Sequence, residues 1–312
     1  MAASGPDRPS GGTLLPAPMR LASIPGYLLR RSQALHNALW ARLVPGDLTG
    51  PQYAVLSVLA AFPHADQKQV ARLASLDKSS TTDVVTRLVR KAWIERERDR
   101  GDSRRHLLSL TKAASIALSS ITPHVSAVQE ALLAPLPAAR RARFVQDLAA
   151  IAQLTASELH VTHQDAIPVL ELGVPGHLIR CAQQVHTAHW AEIMDGLMTG
   201  PQYTVLYVVE RRPGINQRAL GDWAALDSST TTDIVNRLAA RGYVTRSKDP
   251  ADGRGRILTL TRDAVTQLAD VHPKVELVQQ RLLDPLSPLD REGFVDDLAR
   301  VAFEGSPPAA AA

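Results

Sequence analysis

Apolar residues recur at helical spacing along most of the chain. From Leu21 to Val44 they fall at Leu28, Leu35, Leu39 and Leu43, which predicts a long first helix. Thr49 is a predicted N-cap for a second helix, with Pro51 in its first turn and Val55, Leu56, Val58 and Leu59 along it, ending before Pro63. A short helix is predicted over 67–74. The stretch SSTTDVVTRLVRKA predicts another, with Ser79 as N-cap and Thr81, Val84, Val85 and Leu88 as its inward stripe. Two strand-like runs follow, IERER and HLLSL, separated by the polar turn DRGDSRR. Helices over 111–133 and 138–154 complete the unit.

The same pattern then returns. TGPQYAVLSVL from Thr49 matches TGPQYTVLYVV from Thr199, an offset of 150 residues. Without a gap, about 40% of positions between 24 and 152 are identical to those 150 residues later. Two copies of this length are two homologous domains, not a solenoid, which needs at least three short repeats. The predicted division is a disordered 1–20, copy 1 over 21–154, a connector over 155–173, copy 2 over 174–304, and a disordered tail over 305–312. The connector ELHVTHQDAIPVLELG is too apolar for a free linker and is expected to pack on one copy.

Helix, helix, recognition-type helix, then a two-stranded hairpin is the order of a winged helix-turn-helix. The fold class is therefore mainly α with small β-hairpin wings. The long terminal helices exceed what a DNA-reading head needs. Their apolar faces predict an intramolecular pseudo-dimer, one chain supplying both halves with the terminal helices at the interface.

Composition narrows the function. Hydrophobic residues at 45% can build packed cores, and no apolar run is long enough to predict a membrane span. The first twenty residues have no signal-peptide pattern, so a cytoplasmic location is expected. The single cysteine, Cys181, excludes an intramolecular disulfide and a multi-cysteine metal site. The ten histidines are scattered, so no metal is expected. The chain has no P-loop, G-x-G-x-x-G, G-x-S-x-G or H-E-x-x-H, so no cofactor and no enzymatic activity are expected. A net charge of +4 permits nucleic-acid binding without demanding it.

Three segments of each copy carry a resemblance. Copy 1 has LTGPQYAVLSVL, LASLDKSSTTDVVTRLVRKAWIERERD and DSRRHLLSLT; copy 2 has MTGPQYTVLYVV, WAALDSSTTTDIVNRLAARGYVTRSKD and DGRGRILTLT. Each copy resembles the MarR family of transcriptional regulators over nearly its whole length. The resemblance implies a winged-helix head, a dimer built from terminal helices, double-stranded operator DNA as partner, and repression or activation often relieved by a small molecule. Fusion of two copies is unusual against that pattern.

A helix in the major groove reads bases with its exposed N-terminal side chains. In copy 1 these are Lys78, Ser79, Ser80, Thr82, Asp83, Thr86 and Arg87; in copy 2, Ser228, Ser229, Thr230, Thr232, Asp233, Asn236 and Arg237. Asp83 and Asp233 lie four residues before an arginine and are expected to pair with it and position it. The wings add Arg104 and Arg105 in copy 1 and Arg254 and Arg256 in copy 2, with further basic residues at Arg96, Arg98, Arg100, His106, Arg246 and Lys248. Asp102-Ser103-Arg104 and Asp252-Gly253-Arg254 match the family's Asp-x-Arg wing, whose arginine enters the minor groove. Many relatives carry a basic residue between that Asp and Arg. Its replacement by Ser103 or Gly253 leaves fewer charges at the tip.

The family's effectors bind between the dimer helices and the head, which implies Arg30, His36, Trp40 and Tyr53 in copy 1 and Arg180, His186, Trp190 and Tyr203 in copy 2. An arginine among aromatics suits a planar anionic ligand such as a phenolic acid. Interface packing is the competing reading of these eight residues. Cys181 raises a redox-sensing alternative, as in the peroxide-sensing branch. The matching residue in copy 1 is Arg31, and no tyrosine lies near Cys181 in sequence, which favours a buried, inert thiol. An effector-independent architectural DNA binder is the third reading. A single chain is expected to act as a monomer reading an imperfect palindrome.

Overall fold

In the computed structural model the described residues are 21–99, 101, 106–154, 174–249 and 256–304. The segments expected to be disordered, the connector, and the wing tips with Arg100, Arg104, Arg105 and Arg254 lie outside them.

Copy 1 runs α1 Pro25–Leu43, α2 Gly50–Ala61, β1 Ala65–Asp66, α3 Gln67–Leu73, α4 Lys78–Arg90, β2 Ile94–Arg98, β3 His106–Leu110, α5 Lys112–Leu133 and α6 Ala138–Ile151. Copy 2 repeats this as α7 Pro175–Met194, α8 Gly200–Arg211, β4 Ile215–Asn216, α9 Gln217–Ala224, α10 Ser228–Ala240, β5 Val244–Lys248, β6 Arg256–Leu260, α11 Arg262–Leu283 and α12 Pro288–Glu304. Each wing is an antiparallel ladder, Ile94 facing Leu110 and Val244 facing Leu260. The sequence pattern missed β1 and β4, two-residue strands that add a third edge to each sheet.

Local chemistry fixes the same turns twice. Thr49 and Thr199 form complete capping boxes with Gln52 and Gln202. The indole N–H groups of Trp40 and Trp190 donate to the carbonyls of Leu48 and Met198, each at 2.7 Å, pinning the first helix to the start of the second. One cap differs from expectation. Asp77, not Ser79, caps α4, accepting from the Ser80 amide at 2.9 Å. A carboxylate at this place also complements the positive end of the helix.

The two copies meet through their terminal helices, α1 against α7 and α12, and α6 against α7 and α12. Contacts occur in pairs related by the 150-residue offset, as two-fold packing requires. The Gly26 amide donates to Gln279 Oε1 at 2.9 Å and the Gly176 amide to Gln129 Oε1 at 2.8 Å. The Phe144 and Phe294 rings stack on one another 5.6 Å apart. Neither glycine could carry a side chain. A Cβ on Gly26 would lie 2.0 Å from His186 Nε2, and one on Gly176 2.2 Å from His36 Nε2.

The charges do not obey the symmetry. Arg140 pairs with Asp297 at 2.7 Å and Arg143 with Asp290 at 2.6 Å, so α6 presents cations and α12 anions. Gly293, aligned with Arg143, leaves the space that Arg140 enters.

Candidate nucleic-acid interface and ligand crevice

Helix α4 buries Thr81, Val85 and Leu88 and α10 buries Thr231, Ile234, Val235 and Leu238, so the opposite face of each is turned out. Lys78, Ser79, Thr82, Asp83, Thr86 and Arg87 are exposed in α4, as are Ser228, Ser229, Asp233, Asn236 and Arg237 in α10. The remaining three expected contacts, Ser80, Thr230 and Thr232, are only partly exposed.

Their hydroxyls are already engaged. Ser80 and Thr230 donate to the capping carboxylates of Asp77 and Asp227. Thr82 and Thr232 donate to the Lys78 and Ser228 carbonyls and accept from Gln67 and Gln217. The Gln67–Thr82 and Gln217–Thr232 bonds tie α4 to α3 and α10 to α9, while the Ser80 and Thr230 bonds complete the caps of their own helices. Gln67 and Gln217 were missed by the sequence reading; their repetition at the same offset was the available signal. Among the described residues, Asp83 and Arg87 form no ion pair, nor do Asp233 and Arg237 (a correction to the expected pairing). At an exposed site such a pair contributes only a few tenths of a kcal/mol, which solvation of both ends offsets.

The heads differ where helix meets wing. Arg246 on β5 donates to Asn236 Oδ1 at 2.6 Å, and both lie beside Arg256 and Gln217. In copy 1 Thr86 is aligned with Asn236, and Arg96 with Arg246. A shorter hydroxyl side chain replaces an amide, so the exposed faces of α4 and α10 offer different donors and acceptors.

Four of the residues expected to bind an effector line one interfacial cavity, with the arginine supplied by the other copy. His36, Trp40 and Tyr53 of copy 1 gather with His177 and Arg180 of α7 around one cavity. Arg30 instead reaches into copy 2, donating to Thr204 Oγ1 and the Ala224 carbonyl, each at 3.0 Å. The sequence reading grouped Arg30 with its own copy. Only the interface shows that each arginine serves the other one.

Burial controls the titrating groups here. Desolvation pulls the Arg30 guanidinium down to about 10 and shifts Arg180 the same way. Desolvation, then the neighbouring arginine, pulls His36 and His186 down to about 4 and His177 to about 3. These imidazoles are neutral at pH 7. Unfolded, they take up protons near pH 6.5, whereas folded they do so only near 3–4. Stability is therefore expected to be full above pH 6.5 and to fall as pH drops, by about 2 kcal/mol for each histidine at pH 5. Urea titrations at pH 7 and pH 5 check this; equal unfolding free energies would contradict neutral burial. Cys181 is buried, its Sγ 3.3 Å from His177 Nε2, which fits a packing role.

No helix among the described residues is long and apolar enough to cross a membrane.

The MarR family model matches twice, at residues 46–105 and 198–255, the head of each copy. The transcriptional regulator HosA of Escherichia coli O111:H- is 36% identical over 119 residues, which are 38% of this chain and 87% of HosA. The transcriptional repressor NicR of Pseudomonas putida is 32% identical over 117 residues, 37% of this chain and 74% of NicR. The crystal structure of the PcaV transcriptional regulator from Streptomyces coelicolor, in complex with its natural ligand, is 35% identical and covers 43% of this chain and 95% of that chain, with a TM-score of 0.41. Two matched heads, each behind the same capped helices and hairpin wing, place this duplicated chain in the MarR family of DNA-binding transcriptional regulators.

Proposed function

We propose that one chain is a complete operator-binding repressor whose two unequal heads read an imperfect palindrome, and that a small planar anion in the interfacial crevice releases it. The observation that carries this is the pairing of α1, α6, α7 and α12, which joins the two helix-and-hairpin heads within one chain. NicR, a relative, is a repressor. DNA binding by BpsR of Bordetella bronchiseptica, another relative, is regulated by 6-hydroxynicotinic acid.

On one face of B-DNA the heads need half-sites about one helical turn apart, roughly 10 base pairs. Arg237, Asn236 and Arg246 form the reading cluster of copy 2, and Lys78, Thr86, Arg87 and Arg96 that of copy 1. Wing residues Arg104, Arg105 and Arg254 are assigned to the minor groove, and Arg256 to the adjoining backbone. Asn236 keeps its amide N–H groups free to donate while Arg246 holds its oxygen.

The test is binding-site selection with the full chain, paired with sedimentation. One chain per operator, an approximate palindrome and an Asn236→Thr variant relaxed in one half-site only are expected. Two chains per operator on a perfect palindrome would overturn the reading.

A further inference from the structure

We propose that the two interfacial crevices have diverged: the one in copy 1 binds a single aromatic carboxylate per chain, while its counterpart in copy 2 is filled by its own side chains. This rests on the ligand reading above and adds to it which site works and with what stoichiometry.

Each of the ten residues lining the first crevice has a counterpart at the 150 offset, and four of these positions differ. Ala54, Ser57, Val174 and His177 become Thr204, Tyr207, Ile24 and Tyr27, each larger in the second crevice. The added atoms satisfy its polar groups. Thr204 Oγ1 accepts from Arg30, which Ala54 cannot do for Arg180. Tyr203 pairs its hydroxyl with His272 Nδ1 at 3.1 Å. The Tyr207 ring lies 6.0 Å from that of Tyr203, in the place of a small serine.

The first crevice keeps the same cation and phenol without those partners. The Tyr53 hydroxyl is buried and makes no hydrogen bond. Thr122, the residue aligned with His272, turns its own hydroxyl to the Leu118 carbonyl. Arg180 makes no hydrogen bond or ion pair among the described residues, and its buried Nε is unsatisfied. Arg30 Nε is unsatisfied too, but its terminal nitrogen has two acceptors. A desolvated guanidinium beside an orphan phenol is costly unless an acceptor arrives. A carboxylate supplies charge-assisted acceptors for Arg180 and Tyr53, and an attached ring matches the Trp40 and Tyr53 faces. Ser57 leaves room at that end, its hydroxyl folded back onto the Tyr53 carbonyl at 2.6 Å.

The cavity here is about 20 Å³, room for about one water. A ring must therefore part α7 from α2. That parting is the coupling: α7 belongs to copy 2, so a ligand wedged against copy 1 shifts one head relative to the other.

Isothermal titration of the full chain with 4-hydroxybenzoate and with benzoate tests this, read beside operator release. Binding of one molecule per chain is expected. Arg180→Met should weaken it more than tenfold, and far more than Arg30→Met does. Ala54→Thr should abolish it while raising the melting temperature, by giving Arg180 a partner. Two molecules per wild-type chain, or loss on Arg30→Met with retention on Arg180→Met, would overturn the inference and leave the ligand reading standing. No binding of either probe, with operator affinity unchanged by both, would overturn the ligand reading and this inference with it. A misfolded variant does not blunt the test, because wild-type stoichiometry alone separates one site from two.

Discussion

Gly26→Ala is expected to destabilise the chain by more than about 3 kcal/mol and to abolish tight operator binding. The new methyl group would sit 2.0 Å from His186 Nε2. The ring has nowhere to go. His186 is buried, contacts Gln279 and packs beside Trp190, whose indole is itself bonded to the Met198 carbonyl. The backbone of α1 must therefore retreat, breaking the Gly26 amide bond to Gln279 and displacing Arg30 one turn later. Differential scanning calorimetry and gel shift check this together. Combining Gly26→Ala with His186→Ala should recover part of the stability, because the clash is then gone. If the single variant melts like the parent, α1 and α7 do not pack as described.

Replacing both Arg87 and Arg237 with Ala should cost about 2–6 kcal/mol of operator affinity, from about 1–3 kcal/mol at each head. Both side chains are exposed on the reading face and, among the described residues, neither is held in an ion pair. Gel shifts across a salt series decide how they act. Arginines reading guanine leave the salt slope nearly unchanged, whereas phosphate contacts reduce it by about one for each residue lost. Affinity unaltered at every salt concentration would remove both from the interface. Each single variant should weaken a different half-site, which footprinting resolves.

Much of this was legible in the sequence because it is local and stated twice. Thr49 with Gln52, Pro51 and the following apolar run define α2 without any tertiary information, and Thr199 repeats the statement. The recognition helix was placed by its stripe, yet its cap was misassigned. Asp77, Ser79 and Ser80 are all competent caps, and only backbone geometry decides between them. The strands β1 and β4 left no mark, because two residues are too few to alternate. The eight crevice residues were recognisable as a repeated set, but their allegiance was not. Whether Arg30 serves its own copy or the other depends on how α1 crosses α7, a relation between positions far apart in sequence. The ion pairs of Arg140 and Arg143 were hidden for the same reason.

Those ion pairs bear on how the molecule could change over time. In a homodimer every substitution at the two-fold axis is made twice and meets its own copy. Arg143 would then face the partner's residue 140, another arginine. Here position 140 of the first copy and its aligned position 290 hold opposite charges, a state open only to a gene in which the halves mutate separately. The halves have become complementary instead of self-complementary. Expressed as separate polypeptides they should seek each other and avoid their own kind, so the duplication has turned a symmetric interface into a lock with distinct sides.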